Sequence, residues 1–231
     1  MSVQDQTPDL DWRAGGIPVS QRFDDPYFSL NGGLDETRHV FLAGNDLPQR
    51  LHPGFHVAEL GFGTGLNLLA LAQIADQPIR FTSFEAYPMS GDELARAHAA
   101  FPELADLSAQ LRDGWPARRF NVGQVSAEVI EADARAALPA WPGRADAWFL
   151  DGFSPAKNPE LWGADLMAEV ASHTAPGGTF ATYTAAGHVR RALAAAGRRA
   201  RGYRVGSSSK NRLPGAVVTA AVETRVTSLN T

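Results

Sequence analysis

The chain has 231 residues, 44% of them hydrophobic and 20% charged, which is enough for one sizeable α/β core and short of two ordinary domains. It contains no cysteine, which excludes disulfides and thiolate metal sites; with no apolar run of about 18 residues and no charged-then-apolar leader, the expectation is a cytoplasmic protein with no membrane segment. The net charge of −4 conceals an asymmetry: residues 1–187 hold 12 basic and 24 acidic side chains, whereas residues 188–231 hold nine basic and one acidic.

In chain order, residues 1–54 show no strand–helix alternation and carry Trp12, Phe23, Tyr27, Phe28 and Phe41 among polar turns. They are expected to form an N-terminal extension packed over the ligand cleft of a catalytic domain spanning 55–231, with no repeat or low-complexity linker between them. Phe55, Val57 and Ala58 then read as a first strand ending at Glu59. The loop Gly61-Phe62-Gly63-Thr64-Gly65 follows, and Leu66, Leu68, Leu69, Leu71 and Ala72 open a helix. A backbone without Cβ atoms turns tightly and approaches a ligand closely, and the helix start offers unpaired N–H groups. A dinucleotide fingerprint needs a glycine where Leu66 stands, and a phosphate loop needs Lys-Ser/Thr after the glycines, so neither fits. An acid at the strand end followed by Gly-x-Gly-x-Gly is the pattern of S-adenosylmethionine (SAM) methyltransferases, in which the carboxylate and loop amides receive the amino-acid end of SAM. Taken alone, the motif is also compatible with a plain glycine-rich turn.

The alternation continues, which predicts a mostly parallel sheet with helices on both faces. Arg80–Glu85 reads as the second strand, followed by a helix near Gly91–Ala100 and another within Glu103–Arg112. Ala127–Ala132 is the third strand and Ala147–Leu150 the fourth, ending at Asp151. A helix near Ala164–Thr174 precedes Pro176-Gly177-Gly178, read as a turn into the strand Thr179–Thr184. Gly187–Ala196 is helix, and strands near Gly202–Val205 and Ala216–Val222 complete seven.

In open α/β sheets ligands bind beyond the carboxyl ends of the strands, and four acids stand there: Glu59, Glu85, Asp133 and Asp151. Glu85 is placed to accept both hydroxyls of a ribose or to cap a turn. Asp133 is placed to accept from the exocyclic amine of adenine or to N-cap the helix beginning at Ala134. Asp151 lies where the methyl group should emerge and is the candidate catalytic residue. A carboxylate there can accept the N–H bonds of an amine, aim its lone pair and stabilise the positive charge growing on nitrogen. Phe153 and Pro155 form either an apolar wall for a flat ring or core, and Lys157 reaches a phosphate or is solvated. The basic C-terminal block, Arg190, Arg191, Arg198, Arg199, Arg201, Arg204, Lys210 and Arg212, supplies phosphate contacts or a solvated helix face. His39, His52, His56, His98, His173 and His188 lack ligand spacing, so no metal is expected, and no Gly-x-Ser-x-Gly nucleophile elbow occurs.

The chain resembles, over nearly its whole length, the methyltransferase family that completes 5-methylaminomethyl-2-thiouridine in tRNA, the MnmD type and the N-terminal domain of bifunctional MnmC. The likeness runs through Pro18–Ser20, Phe23–Ser29, Glu36–Leu42, Glu59–Asn67, Ser83–Glu85, Asp146–Pro159 with Leu161-Trp162, and Gly177–Arg191. It implies a class I SAM-dependent methyltransferase fold, with methyl transfer from SAM to the primary amine of 5-aminomethyluridine at the wobble position of the anticodon stem-loop. It further implies Asp151 beside the acceptor, and SAM held by Glu59, Gly61, Phe62, Gly63, Thr64, Gly65, Asn67, Glu85, Asp133 and Ala134. The implied substrate contacts are Tyr27, Phe28, Phe153, Pro155, Lys157, Arg190 and Arg191. An FAD-dependent oxidase follows in the bifunctional relatives; with this chain ending at Thr231, no FAD domain is expected, and the amine comes from another route. One departure is Ser207–Leu213, where relatives carry a Lys-Arg-Glu-Met-like run, and it bears on substrate preference. A methyltransferase for a small amine metabolite, a non-catalytic SAM- or tRNA-binding module and an aminopropyl transferase are the competing readings.

Overall fold

The structure, a computed structural model, describes residues 7–29, 32–197 and 218–221. Strands β1 (Leu10–Arg13), β2 (Ile17–Ser20) and β3 (Asp25–Pro26) form a small antiparallel sheet. A short helix α1 (Gly33–Thr37) runs directly into a π-helical turn at Arg38–Leu42. The main unit then alternates β4 (His56–Leu60), α2 (Leu66–Ile74), β5 (Ile79–Glu85), α3 (Gly91–His98), α4 (Ala105–Gly114), β6 (Arg119–Val122), β7 (Val125–Glu131), α5 (Ala134–Ala137), β8 (Ala145–Leu150), α6 (Ala164–Ser172), β9 (Thr174–Thr182), α7 (Gly187–Gly197) and β10 (Val218–Ala221).

These last seven strands form one sheet in the order β10-β9-β8-β4-β5-β7-β6. The four inner pairings are parallel and the two outer ones antiparallel. Strands β4 and β8 lie at the centre and are buried on both faces, which accounts for their near-continuous apolar runs. Successive residues alternate between two cores. Val57, Phe81 and Phe149 face α2, α3 and α4, while Ala58, Phe84 and Trp148 face α6 and α7. Helix α2 is buried from Leu66 to Ala72 because the N-terminal segment closes its outer side, with Ile17, Phe28, Leu34, Val40, Phe41 and Leu42 in the same core as Val57 and Leu68. Arg50 ties that segment to the sheet by donating to the carbonyls of Asp146 at 3.0 Å and Gly177 at 3.1 Å.

Two differences from the sequence reading have local causes. β6 interrupts the expected alternation: Arg119–Val122 folds back on β7 as an antiparallel hairpin whose tip is Gly123-Gln124. Pro176–Gly178 belongs to β9 instead of preceding it. Ala145 pairs with Thr174 and Ala147 with Thr179, so the intervening residues bulge out of register, with Gly177 at φ +74°. The sheet does hold seven strands, with β6 among them; the expected strand at Gly202–Val205 lies outside the described residues, and β10 falls within the expected Ala216–Val222. Helix α3 starts on a capping box, in which the Ser90 hydroxyl accepts from the Glu93 amide while the Glu93 carboxylate accepts from the Ser90 amide.

Candidate active site

From β4 the chain passes first to β5 and β7 on one side, and only later to β8 and β9 on the other. The strand order therefore reverses between β4 and β8, the place where open α/β sheets leave a crevice at their carboxyl ends. A cavity of about 570 Å³ opens there, lined by the glycine loop, the ends of β5 and β8 and the N-terminal segment.

The floor is a hydrogen-bonded relay centred on Asn67, on the first turn of α2. Its Nδ2 donates to Glu59 Oε1 at 2.8 Å and to Asp151 Oδ2 at 2.8 Å, and its Oδ1 accepts from the Thr37 hydroxyl at 3.0 Å. Ser83 on β5 donates to the other oxygen of Glu59 at 2.6 Å. Glu59 is fully enclosed and does not line the cleft, so the expected direct contact with a ligand is not what the structure places there. It fixes Asn67, which in turn fixes Asp151. Burial pushes the Glu59 carboxyl well above the usual carboxylate range.

Asp151 does face the cleft. Its Oδ1 accepts from the Gly152 amide at 2.8 Å, and burial nevertheless pushes its carboxyl up to about 6, more than that amide and Asn67 pull it down. Glu85 braces the glycine loop, accepting from the Gly63 amide and the Tyr87 amide, each at 2.8 Å; burial raises its carboxyl too. Each Asp151 oxygen keeps a second lone pair for a ligand. Asp133 N-caps α5 through the Arg135 amide at 2.9 Å and pairs with the Arg135 guanidinium, which holds it below its ordinary value; it also lines the cleft, so both of its expected roles remain compatible with its place.

Of the other expected site residues, Gly61, Phe62, Gly63, Thr64, Ala134, Tyr27, Phe28, Phe153 and Lys157 line the cavity. Gly63 has φ +55°, and a Cβ there would stand 3.1 Å from the Tyr27 ring, so the loop backbone and Tyr27 meet at the closest approach available. Gly65 is not on the wall. It forms the left-handed start of α2, where a Cβ would come within 2.7 Å of Phe62. Phe153 stacks on Phe23 with centroids 4.7 Å apart and meets Tyr27 edge-on at 4.9 Å, whereas Pro155 stays off the cleft. Lys157 binds acids of the N-terminal hairpin, Asp24 at 3.3 Å and Asp25 at 3.6 Å, and Asp25 also accepts from the Ser154 amide at 2.9 Å. Arg190 and Arg191 are exposed on α7, away from the cavity lining; the remainder of the basic block and Ser207–Leu213 lie outside the described residues.

The sequence reading assigned no role to Glu36, Thr37, Ser83 or Tyr183. Tyr183 follows β9, and its hydroxyl donates to the Gly152 carbonyl; the strand-end rule that found the acids would have found it. Glu36 and Thr37 come from the segment without alternation, where periodicity gives no signal.

Among the described residues, no cation pairs with the cleft carboxylates Glu36, Glu85 or Asp151. Unpaired carboxylates around a glycine cradle suit a cationic ligand, and the sulfonium and ammonium of SAM fit that charge. No group of three or more His, Asp or Glu side chains among the described residues is placed to hold a metal, and none of the described helices is long and apolar enough to cross a membrane.

Residues 102–211 match the family model described as S-adenosyl-L-methionine-dependent methyltransferase. A protein of Caulobacter sp. strain K31 named tRNA 5-methylaminomethyl-2-thiouridine biosynthesis bifunctional protein MnmC is 46% identical over 210 residues, covering 81% of this chain and 35% of the relative. The protein of that name from Pseudomonas savastanoi pv. phaseolicola is 45% identical over 206 residues, covering 81% and 31%. The chain thus spans about a third of the length of these relatives. The crystal structure of MnmC2 from Aquifex aeolicus superposes with a TM-score of 0.72 at 22% identity, covering 97% of this chain and 73% of that one, a likeness of fold.

Proposed function

Because the chain belongs to the S-adenosyl-L-methionine-dependent methyltransferases, we propose that it transfers the methyl group to the primary amine of 5-aminomethyluridine or its 2-thio form at the tRNA wobble position, giving the 5-methylaminomethyl product. The observation that carries this reading is Asp151: a half-buried carboxylate at the switch point, held by Asn67 and the Gly152 amide with no cation paired to it. The relatives' names supply the acceptor, since they concern 5-methylaminomethyl-2-thiouridine in tRNA.

Bound SAM supplies an electrophilic methyl on a sulfonium. In this reading Glu85 and Asp133 accept from its ribose and adenine, and the backbone of Gly61–Thr64 borders its amino-acid end. Asp151 accepts an N–H of the acceptor amine, aims the lone pair and stabilises the positive charge as nitrogen is alkylated, a demand mainly of orientation at roughly 3–3.5 Å. Phe23, Tyr27 and Phe153 wall the acceptor side and reduce its access to water. The net +8 of residues 188–231, with Arg190 and Arg191 exposed on α7, supports contact with the tRNA backbone and a binding constant that falls with salt.

The test is mass spectrometry of wobble nucleosides after incubating the protein and SAM with tRNA carrying 5-aminomethyl-2-thiouridine. Gain of one methyl is expected. No gain with SAM binding intact would sink the tRNA acceptor and turn the search to small amines.

A further inference from the structure

Among the described residues, Asp25 and Glu160 of the cleft are paired with Lys157 and Arg135, whereas Glu36 has neither a paired cation nor a part in holding SAM. Glu36 stands on α1, lines the same cavity as Asp151 and is partly exposed; one of its oxygens accepts from the Ser29 hydroxyl. Burial is the main cause that raises the Asp151 carboxyl and the Tyr183 phenol, and the negative charge of Glu36 adds to the rise of each. The next residue, Thr37, donates to Asn67 at 3.0 Å, and Asn67 donates to Asp151 at 2.8 Å. Helix α1 is thereby tied to the catalytic carboxylate, and Glu36 is carried at a set position relative to it.

A neutral primary amine has two N–H bonds and one lone pair. A single acceptor leaves it free to turn about one N–H···O axis; a second acceptor removes that freedom and fixes where the lone pair points. We propose that Glu36 and Asp151 together form a two-carboxylate seat for the two N–H groups of the acceptor amine, and that Glu36 thereby limits transfer to a single methyl. This rests on the amine-acceptor reading above.

In the first transfer the N–C bond forms, the S–C bond breaks with its electron pair left on sulfur, and the resulting secondary ammonium releases a proton to solvent. The neutral product then has one N–H and one methyl beside its lone pair. A second transfer needs the lone pair aimed as before, which turns the new methyl onto one of the two carboxylates. That carboxylate loses its donor and is desolvated against an apolar group, so the second transfer is suppressed.

The experiment compares wild type, Glu36→Ala and Glu36→Gln on an anticodon stem-loop bearing 5-aminomethyluridine. It reads single-turnover rate and product mass, with SAM affinity measured separately by calorimetry. Glu36→Ala removes an acceptor and opens room for a methyl. Its first transfer is expected to slow roughly ten- to a hundredfold, the cost of a charge-assisted hydrogen bond, and a dimethylated nucleoside is expected to accumulate. Glu36→Gln keeps a carbonyl acceptor in place and is expected to slow while still stopping at one methyl. Unchanged SAM affinity is expected in both. A Glu36→Ala protein that keeps wild-type rate, or that slows without ever adding a second methyl, overturns the proposal. So does a loss of SAM affinity matching the loss of rate in both variants. Failure of the wild type to methylate the stem-loop is a separate result, which removes the acceptor itself and the inference with it.

Discussion

Asp151→Asn separates what the carboxylate does for the fold from what it does for the reaction. Burial moves this carboxyl from 3.8 to about 6, a rise of about 2 pH units and, at 1.36 kcal/mol each, about 3 kcal/mol by which the folded protein disfavours the ionised form. The unfolded chain ionises first as pH rises, so between these values the folded state holds more protons. The contribution to stability is present in full below about pH 4 and is lost as pH rises through about 6. Asparagine does not ionise, so the stability of the variant relative to wild type should climb by about 3 kcal/mol from about pH 4 to about pH 7. His56, which burial pushes down to about 4, works in the opposite sense, losing stability as pH falls. It is present in both proteins and cancels in the difference. The absolute offset is smaller, because the new amide NH₂ must face one of the two donors, Asn67 Nδ2 or the Gly152 amide, that Asp151 now accepts from, at about 1–3 kcal/mol. The variant should therefore match or exceed wild-type stability by up to about 2 kcal/mol at neutral pH, while methyl transfer falls about 10²–10³-fold and SAM binding persists. Urea unfolding of both proteins across this pH range measures the difference. Parallel curves with a constant gap would refute the reasoning, since they would mean that Asp151 titrates alike folded and unfolded.

Gly65→Ala places a Cβ 2.7 Å from Phe62 and 3.0 Å from Leu111 at φ +73°; thermal unfolding should show a loss of about 1–3 kcal/mol from the backbone strain, with a weaker SAM site. Asn67→Ala strips a donor from both Glu59 and Asp151 and the acceptor from Thr37. It should cost roughly 2–4 kcal/mol in urea unfolding, and the acid limb of the methyl-transfer profile should move to higher pH, because that donor holds the Asp151 carboxyl down. Lys157→Ala should change stability by less than about 1 kcal/mol, since its partners Asp24 and Asp25 are partly solvated. It should raise the KM for tRNA by loosening the N-terminal hairpin from the Phe153 loop, which steady-state kinetics would report.

The sequence by itself carried the parallel sheet, the strand–glycine loop–helix step and the four strand-end acids, because each is a local pattern. Period-2 burial, a Cβ-free turn and a helix start depend on residues within a few positions of one another. It did not carry the β6–β7 hairpin or the bulge at Pro176–Gly178, where pairing with a neighbouring strand decides the conformation. Nor did it separate Glu59, enclosed and structural, from Asp151, which faces the cleft, although both end a strand. That difference arises only when Asn67 on α2 bridges them, reaching 84 positions along the chain to Asp151. Glu36, Thr37 and the Asp25–Ser154 contact, 129 positions apart, likewise enter the site only because the N-terminal segment folds over α2. Which side chains share a cleft is set by chain crossings over such distances, and local periodicity holds no record of them.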